Sequence, residues 1–209
     1  MIRTPAEKNL IAKTSIAFFQ ICTYILISRV FRRFFLANRN VSRTINQLRR
    51  GSLIISNHQS ILDPFITLSY LPFRSFLKML PLRFPMTHSY YRWLPFLWLL
   101  GAYDIGVTKR ERMAGLFRTR KFLFDRESVM IFPEGKISDE NEILDFQKGV
   151  TFLTEIAANV IFVKMEGFHQ KNWFNMKVRR SVIFSEVQSF DDVGNSENFR
   201  TFIRKLSTN

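Results

Sequence analysis

His58 and Asp63 lie five residues apart in the stretch Ser56-Asn57-His58-Gln59-Ser60-Ile61-Leu62-Asp63-Pro64. An imidazole held by a carboxylate is a general base. The carboxylate accepts a hydrogen bond from one ring nitrogen and leaves the other free to take a proton. On one continuous helix, a spacing of five would set the two side chains about 140° apart. They meet only if His58 precedes the helix and the chain folds back. The flanking residues allow this. Leu53-Ile54-Ile55 reads as a short buried strand, and Pro64 suits the first turn of a helix. The expected order is strand, turn, helix. A plainer role for Asp63 is the helix N-cap.

A second stretch, Ile131-Phe132-Pro133-Glu134-Gly135, ends another apolar run that starts at Val129. Pro133 and Gly135 break that strand, and Gly135 permits a turn that a residue with a Cβ would strain. Together, Asn-His-Gln-Ser-x-x-Asp and Phe-Pro-Glu-Gly resemble the glycerolipid acyltransferase family that includes the lysophosphatidic acid acyltransferases. The resemblance runs from roughly Gly51 to Gly167. It implies direct transfer of an acyl group from a thioester to a hydroxyl, with His58 as base and Asp63 as its orienting partner. It also implies substrate contacts from Asn57, Ser60, Phe132, Pro133, Glu134, Gly135 and Lys136.

Two departures bear on the acceptor. The family carries a phosphate-binding arginine a short way after a glycine that matches Gly101, and Val107 stands there. Lys109 and Arg110 follow closely and are the candidate replacements. The family also continues Phe-Pro-Glu-Gly with Thr-Arg-Ser, where this chain has Lys136-Ile137-Ser138. Lys136 supplies a charge but not the bidentate fork of an arginine. Phe146-Gln147-Lys148-Gly149 resembles a further family segment, placed before a helix.

The elements that must position these residues are legible in part. Val160–Val163 and Ser181–Phe184 read as strands, and Phe65–Leu71 as a buried helix. Residues 112–126 read as an amphipathic helix with Met113, Leu116, Phe117, Leu123 and Phe124 on its apolar side. Its arginines and lysines form a solvated face or a docking face for an acidic carrier. Phe199, Phe202, Ile203 and Leu206 mark a closing helix. Strands alternating with helices predict an α/β fold: a mixed central sheet flanked by helices, with an N-terminal membrane-associated helical segment. The expected boundaries are 1–45 for that segment and 46–209 for the acyltransferase domain.

From Ser15 to Ser28 the chain is mostly apolar, and Arg29, Arg32, Arg33 and Arg39 follow. The run is shorter than the ~20 residues of a comfortable span. No small-residue cleavage site follows it, so a removed leader is not expected. A helix lying in the membrane interface, with arginines on lipid phosphates, is the favoured reading. A helix packed on the core and a single span are the alternatives. For a single span, the positive-inside rule makes the arginines after it set the domain on the cytoplasmic face, the expected location. The segment Tyr90–Gly101 is interrupted by Pro95 and too short to span. It reads as core, as the wall of an acyl-chain tunnel, or as a segment entering the bilayer surface.

With 209 residues, a net charge of +14 and 23 Phe, the chain has one domain's worth of core and a strongly basic, aromatic surface. Such a surface suits membrane lipid, a coenzyme diphosphate or an acidic acyl carrier protein. No nucleic-acid partner is expected, because no zinc-finger spacing, RNA-binding aromatic motif or lysine-rich tail is present. A single cysteine, Cys22, rules out an intrachain disulfide. His88 and His169 have no ligand-like neighbours in sequence, so no metal site is expected. No resident cofactor is expected either: acyl-CoA or acyl carrier protein enters as a co-substrate, and a lysophospholipid as acceptor. The alternatives are another lipid acceptor, or a non-catalytic lipid-binding protein on the same fold.

Overall fold

The apolar run around Ile54 is the middle strand of the protein. The computed structural model describes residues 5–93, 95–137, 149–172, 174–175 and 177–187. In chain order it contains α1 (Pro5–Phe35), β1 (Asn38–Val41), β2 (Ser52–Ser56), α2 (Asp63–Tyr70), α3 (Phe73–Met79), β3 (Leu82–Met86), α4 (His88–Trp93), β4 (Ala102–Asp104), α5 (Lys109–Phe124), β5 (Ser128–Ile131), α6 (Val150–Thr154), β6 (Asn159–Glu166) and β7 (Ser181–Phe184). The strands form one sheet in the order β1-β7-β6-β2-β5-β3-β4. β2 pairs in parallel with β5 and β6, and β3 does so with β5 and β4. β7 runs antiparallel to β6 and parallel to β1. The sheet is therefore mixed, and helices cover both of its faces.

Successive side chains of a strand point to opposite faces. Leu53 and Ile55 pack with Val129, Phe162, Leu123 of α5 and Leu153 of α6. Ile54 packs on the other face with Met130, Ile161, Tyr24 of α1 and Ile66 of α2. Burial on both faces is why these strands read as continuous apolar runs instead of alternating ones. The parallel strands β2 to β6 all present their carboxyl ends at one edge of the sheet.

α1 crosses the length of that second face. Near its start, the Lys13 ammonium sits 3.0 Å from Glu127, just before β5 at the amino edge. At its end, the Phe35 ring meets Phe168, which follows β6 at the carboxyl edge. Ile16, Gln20, Tyr24 and Ser28 form a buried stripe at every fourth residue. Gln20 is buried among backbone groups: its Nε2 donates to Leu82 O (2.5 Å) and Leu100 O (2.8 Å), and its Oε1 accepts from Leu82 N (3.0 Å). Tyr24 donates to Leu71 O. Polar groups that would be costly in lipid thus close the backbone bonds of β3 and its neighbours. The helix extends beyond the run Ser15–Ser28, and Asn9–Phe35, within which an 18-residue window reaches a mean hydropathy of 1.7, is long and apolar enough to cross a bilayer by length and composition.

Two further readings change in the structure. The apolar side of α5 faces the core only in part: Leu123 is buried and Leu116 packs against the core. Met113, Phe117 and Phe124 are exposed, while Gly115, Thr119 and Leu123 are buried. Gly115 lies against Ile105 so closely that a Cβ would meet that residue's backbone and side chain at 3.1–3.2 Å. Helix and loop pack closely at this point. Tyr90–Gly101 forms α4 and a 3-10 turn at Pro95–Leu100, with Leu97 buried and Phe96 and Trp98 exposed. The expected closing helix and residues 146–148 lie outside the described residues.

Replacing Gln20 with Leu should lower the urea-unfolding free energy of the detergent-purified protein by about 2 kcal/mol, because buried backbone groups of Leu82 and Leu100 lose their partner. A stabilised variant would mean that this stripe of α1 faces lipid instead.

Candidate active site

The backbone of β2 leaves the sheet after Ser56, but two side chains keep the pairing with β6 going. Asn57 Nδ2 donates to Met165 O (2.8 Å), and its Oδ1 accepts from Met165 N (2.7 Å). Gln59 Oε1 accepts from Phe168 N (2.9 Å). With those bonds supplied by side chains, the main chain of residues 57–62 is free to turn back over the start of α2.

Asp63 is the centre on which this turn closes. The cap position of α2 is Leu62, with no side-chain cap bond, and Asp63 lies inside the first turn. It does not cap its own helix. Its fully buried carboxylate points back over the preceding turn. Oδ2 accepts from Gln59 N (2.6 Å), Ser60 N (2.8 Å) and His58 Nδ1 (2.8 Å), and Oδ1 accepts from Ser60 Oγ (2.6 Å). A carboxylate offers only acceptors, so in the neutral ring the hydrogen lies on His58 Nδ1 and the lone pair on Nε2.

The second motif grips the same residue. The His58 ring stacks on Phe132 with centroids 4.4 Å apart and planes at 23°. The backbone N–H of His58 donates to Glu134 Oε1 at 3.0 Å, and Glu134 is itself buried. The cause is strand pairing. β2 and β5 are neighbours in register Ile55↔Ile131, so the residues just beyond their carboxyl ends must emerge side by side. Gly135 adopts φ +68°, and its N–H donates to Phe132 O to close the turn. The positive φ is the reason for glycine here. Pro133 is buried, Lys136 is exposed and Ile137 is half-buried.

The remaining sites proposed from sequence fall in different places. Asn57 and Ser60 bond within the protein, to Met165 and Asp63. Lys109 and Arg110 open α5 on exposed positions. They share the carboxyl edge with His58, but β4 stands three strand positions from β2. At ~4.8 Å per strand that is about 14 Å. The structure does not bring them together with His58 and Phe132. Val107 is 58% exposed beside them.

Two features have no local signature. Gln59 acts as a strand extender, visible only once β6 is in place. His88 Nδ1 lies 2.7 Å from Asp104 Oδ2, a second imidazole–carboxylate pair, and Asp104 Oδ1 accepts from Gly106 N. The pair ties α4 to the end of β4. It forms because Met86 and Asp104 are partners in the β3–β4 register.

Compared with protein families, residues 33–164 match the family described as Acyltransferase, a span that holds both motifs. Among solved structures, the fold is similar to that of the 1-acyl-sn-glycerophosphate (LPA) acyltransferase PlsC from Thermotoga maritima. The TM-score is 0.59 at 16% identity, with 95% of this chain and 94% of that chain covered. A KaiC-like protein from Pyrococcus horikoshii overlaps loosely, with a TM-score of 0.34 at 9% identity over 68% of this chain and 81% of that one, and bears no weight. No curated protein matches the sequence.

Replacing Asn57 with Ala should destabilise the protein by about 2 kcal/mol, since both backbone groups of Met165 lose their partner in a buried setting. Chemical denaturation checks this, and unchanged stability would show that these bonds are not needed to hold the turn.

Proposed function

The chain belongs to the acyltransferase family, and from that premise we propose that it transfers a fatty acyl group from a thioester to a hydroxyl of a lysophospholipid at a membrane surface. The observation that carries this reading is His58, oriented by Asp63 at 2.8 Å and stacked on Phe132 of the second motif. His58 Nε2 takes the proton of the acceptor hydroxyl as that oxygen attacks the thioester carbonyl. The tetrahedral adduct collapses, the carbon–sulfur bond breaks, and the imidazolium returns the proton to the leaving thiolate. Asp63 stabilises the imidazolium while it exists. The acyl group passes directly between substrates, with no acyl-enzyme. Glu134 serves by holding the His58 backbone, and Gly135 and Lys136 border the acceptor side.

Membrane association draws support from α1. Opposite its buried stripe it exposes Leu10, Phe18, Leu26 and Val30, and Phe96 and Trp98 are exposed in the 3-10 turn that packs beside it. Arg29 and Arg33 are exposed on the same helix. An apolar face flanked by arginines suits a helix lying on an anionic leaflet. On this reading, residues 1–45 are the membrane-associated part, residues 46–209 are the catalytic domain, and the protein sits on the cytoplasmic face.

A second reading of the acceptor is favoured by Val107 and Ile137, which stand where an acceptor phosphate would want arginines. An acceptor with another head group, or without phosphate, fits these positions better than 1-acylglycerol 3-phosphate does.

His58→Ala should lower the transfer rate on the order of 10²-fold or more while leaving the fold intact. Asp63→Asn should also slow transfer while donor binding persists, because an amide no longer fixes the tautomer. Near-wild-type transfer by a folded His58→Ala protein would sink the mechanism. Lipid mass spectrometry on a panel of lysolipids with one acyl thioester should show a preferred acceptor. Liposome binding with no transfer to any acceptor would point to a lipid-binding protein instead.

A further inference from the structure

Where α1 ends and the chain enters β7, the surface holds a half-open pocket of about 270 Å³ lined by Phe34, Phe35, Asn38, Lys177, Arg179 and Arg180, with Leu36 and Val178 completing its wall. Its cationic side is well supported by backbone. The buried Arg180 donates to Phe35 O, Asn172 O and Asn175 O, and its guanidinium lies over the Phe35 ring. Lys177 and Arg179 are exposed at the rim. The neighbouring carboxylate, Glu166, accepts from Ser181 and is already paired with Lys164. Arg39, next to Asn38, has its pKa held below the ordinary arginine range by burial and then by the Arg32 guanidinium. Positive charge is therefore crowded at this end of the sheet. The apolar side offers aromatic faces: Phe34 is 45% exposed and meets the exposed Phe174 edge to face at 6.1 Å.

Cations beside exposed rings suit a phosphorylated nucleotide, whose base stacks while its phosphates pair with the charges. Position decides which substrate brings it. β7 runs antiparallel to β6, so Arg180 enters β7 at the same carboxyl edge as His58. β7 and β1 stand two and three strand positions from β2. That places the cavity about 10–14 Å across the sheet at ~4.8 Å per strand. Phe168 and Gln59 fill the space between, since Phe35 packs on Phe168 and Phe168 N donates to Gln59. A glycerol phosphate carries its phosphorus only a few bonds from the acylated hydroxyl and cannot reach. The pantetheine arm of a coenzyme thioester can.

We propose that this cavity binds the phosphorylated nucleotide end of a coenzyme A thioester, which makes acyl-CoA the donor and not an acyl carrier protein. The assignment rests on the transferase reading above. Its test separates the two by measuring binding on full-length protein carrying His58→Ala, where turnover plays no part. Calorimetric titration with coenzyme A, and with adenosine 3′,5′-bisphosphate as the nucleotide fragment, should give saturable binding. Added Lys177→Glu or Arg179→Glu should each weaken both ligands by about tenfold. Arg50→Glu, an exposed reversal at the opposite edge, should change them less than twofold. In the His58 protein, the same two reversals should raise KM for acyl-CoA and leave KM for the lysolipid unchanged. Loss of coenzyme binding in a protein that transfers nothing would uphold the site and refute the enzyme. Normal binding in both variants would overturn the site even if transfer is robust. A rise in the lysolipid KM alone, or turnover with an acyl carrier thioester only, would overturn it as well.

Discussion

The site depends on one buried carboxylate collecting four donors. Asp63 takes two backbone N–H groups, one hydroxyl and one imidazole N–H, so the turn and the imidazole are fixed by the same charge. Each charge-assisted bond is stronger than a neutral one, and together they satisfy an ion that would otherwise be costly at zero exposure. The local fold and the orientation of the imidazole are one problem with one solution. Asp63 cannot hold the ring without also closing the turn.

What holds this turn in place is the sheet beneath it. β2 is flanked by β6 and β5, and each neighbour supplies one clamp. Towards β6, Asn57 and Gln59 continue the ladder with side-chain amides. From β5, Glu134 and Phe132 take the backbone and the ring of His58. The His58 imidazole is thus gripped from three sides, with Nε2 left outside these contacts. Such support holds the ring in one orientation.

α1 joins two jobs in one helix. One stripe closes the sheet's second face and satisfies backbone groups of β3, and the opposite side offers apolar residues to a surface. Because it runs from the amino edge to the carboxyl edge, its last turn delivers arginines and phenylalanines to the edge where His58 lies. The cationic cavity beside Phe35 follows from that course. A helix anchored elsewhere would not bring its end to the incoming strand of β7.

Much of the site was readable because it is local. The strand, the turn and the helix that carry His58 and Asp63 fall within a dozen or so residues, and the buried central strands are long enough apolar runs to show themselves. Others hid for physical reasons. β1 is made of Asn38, Arg39, Asn40 and Val41, β3 contains Arg83 and Pro85, and β4 has three residues, so none carries a strand's usual pattern. Met113 and Phe117 face outward while Gly115 packs against Ile105, a contact no spacing rule contains. By itself, the sequence determined which groups could do acid–base chemistry, because a five-residue separation limits how they can meet. Tertiary structure alone decided the long-range partnerships: Asn57 with Met165, His88 with Asp104, and Phe35 with Arg180 span chain separations that only sheet register and helix packing close.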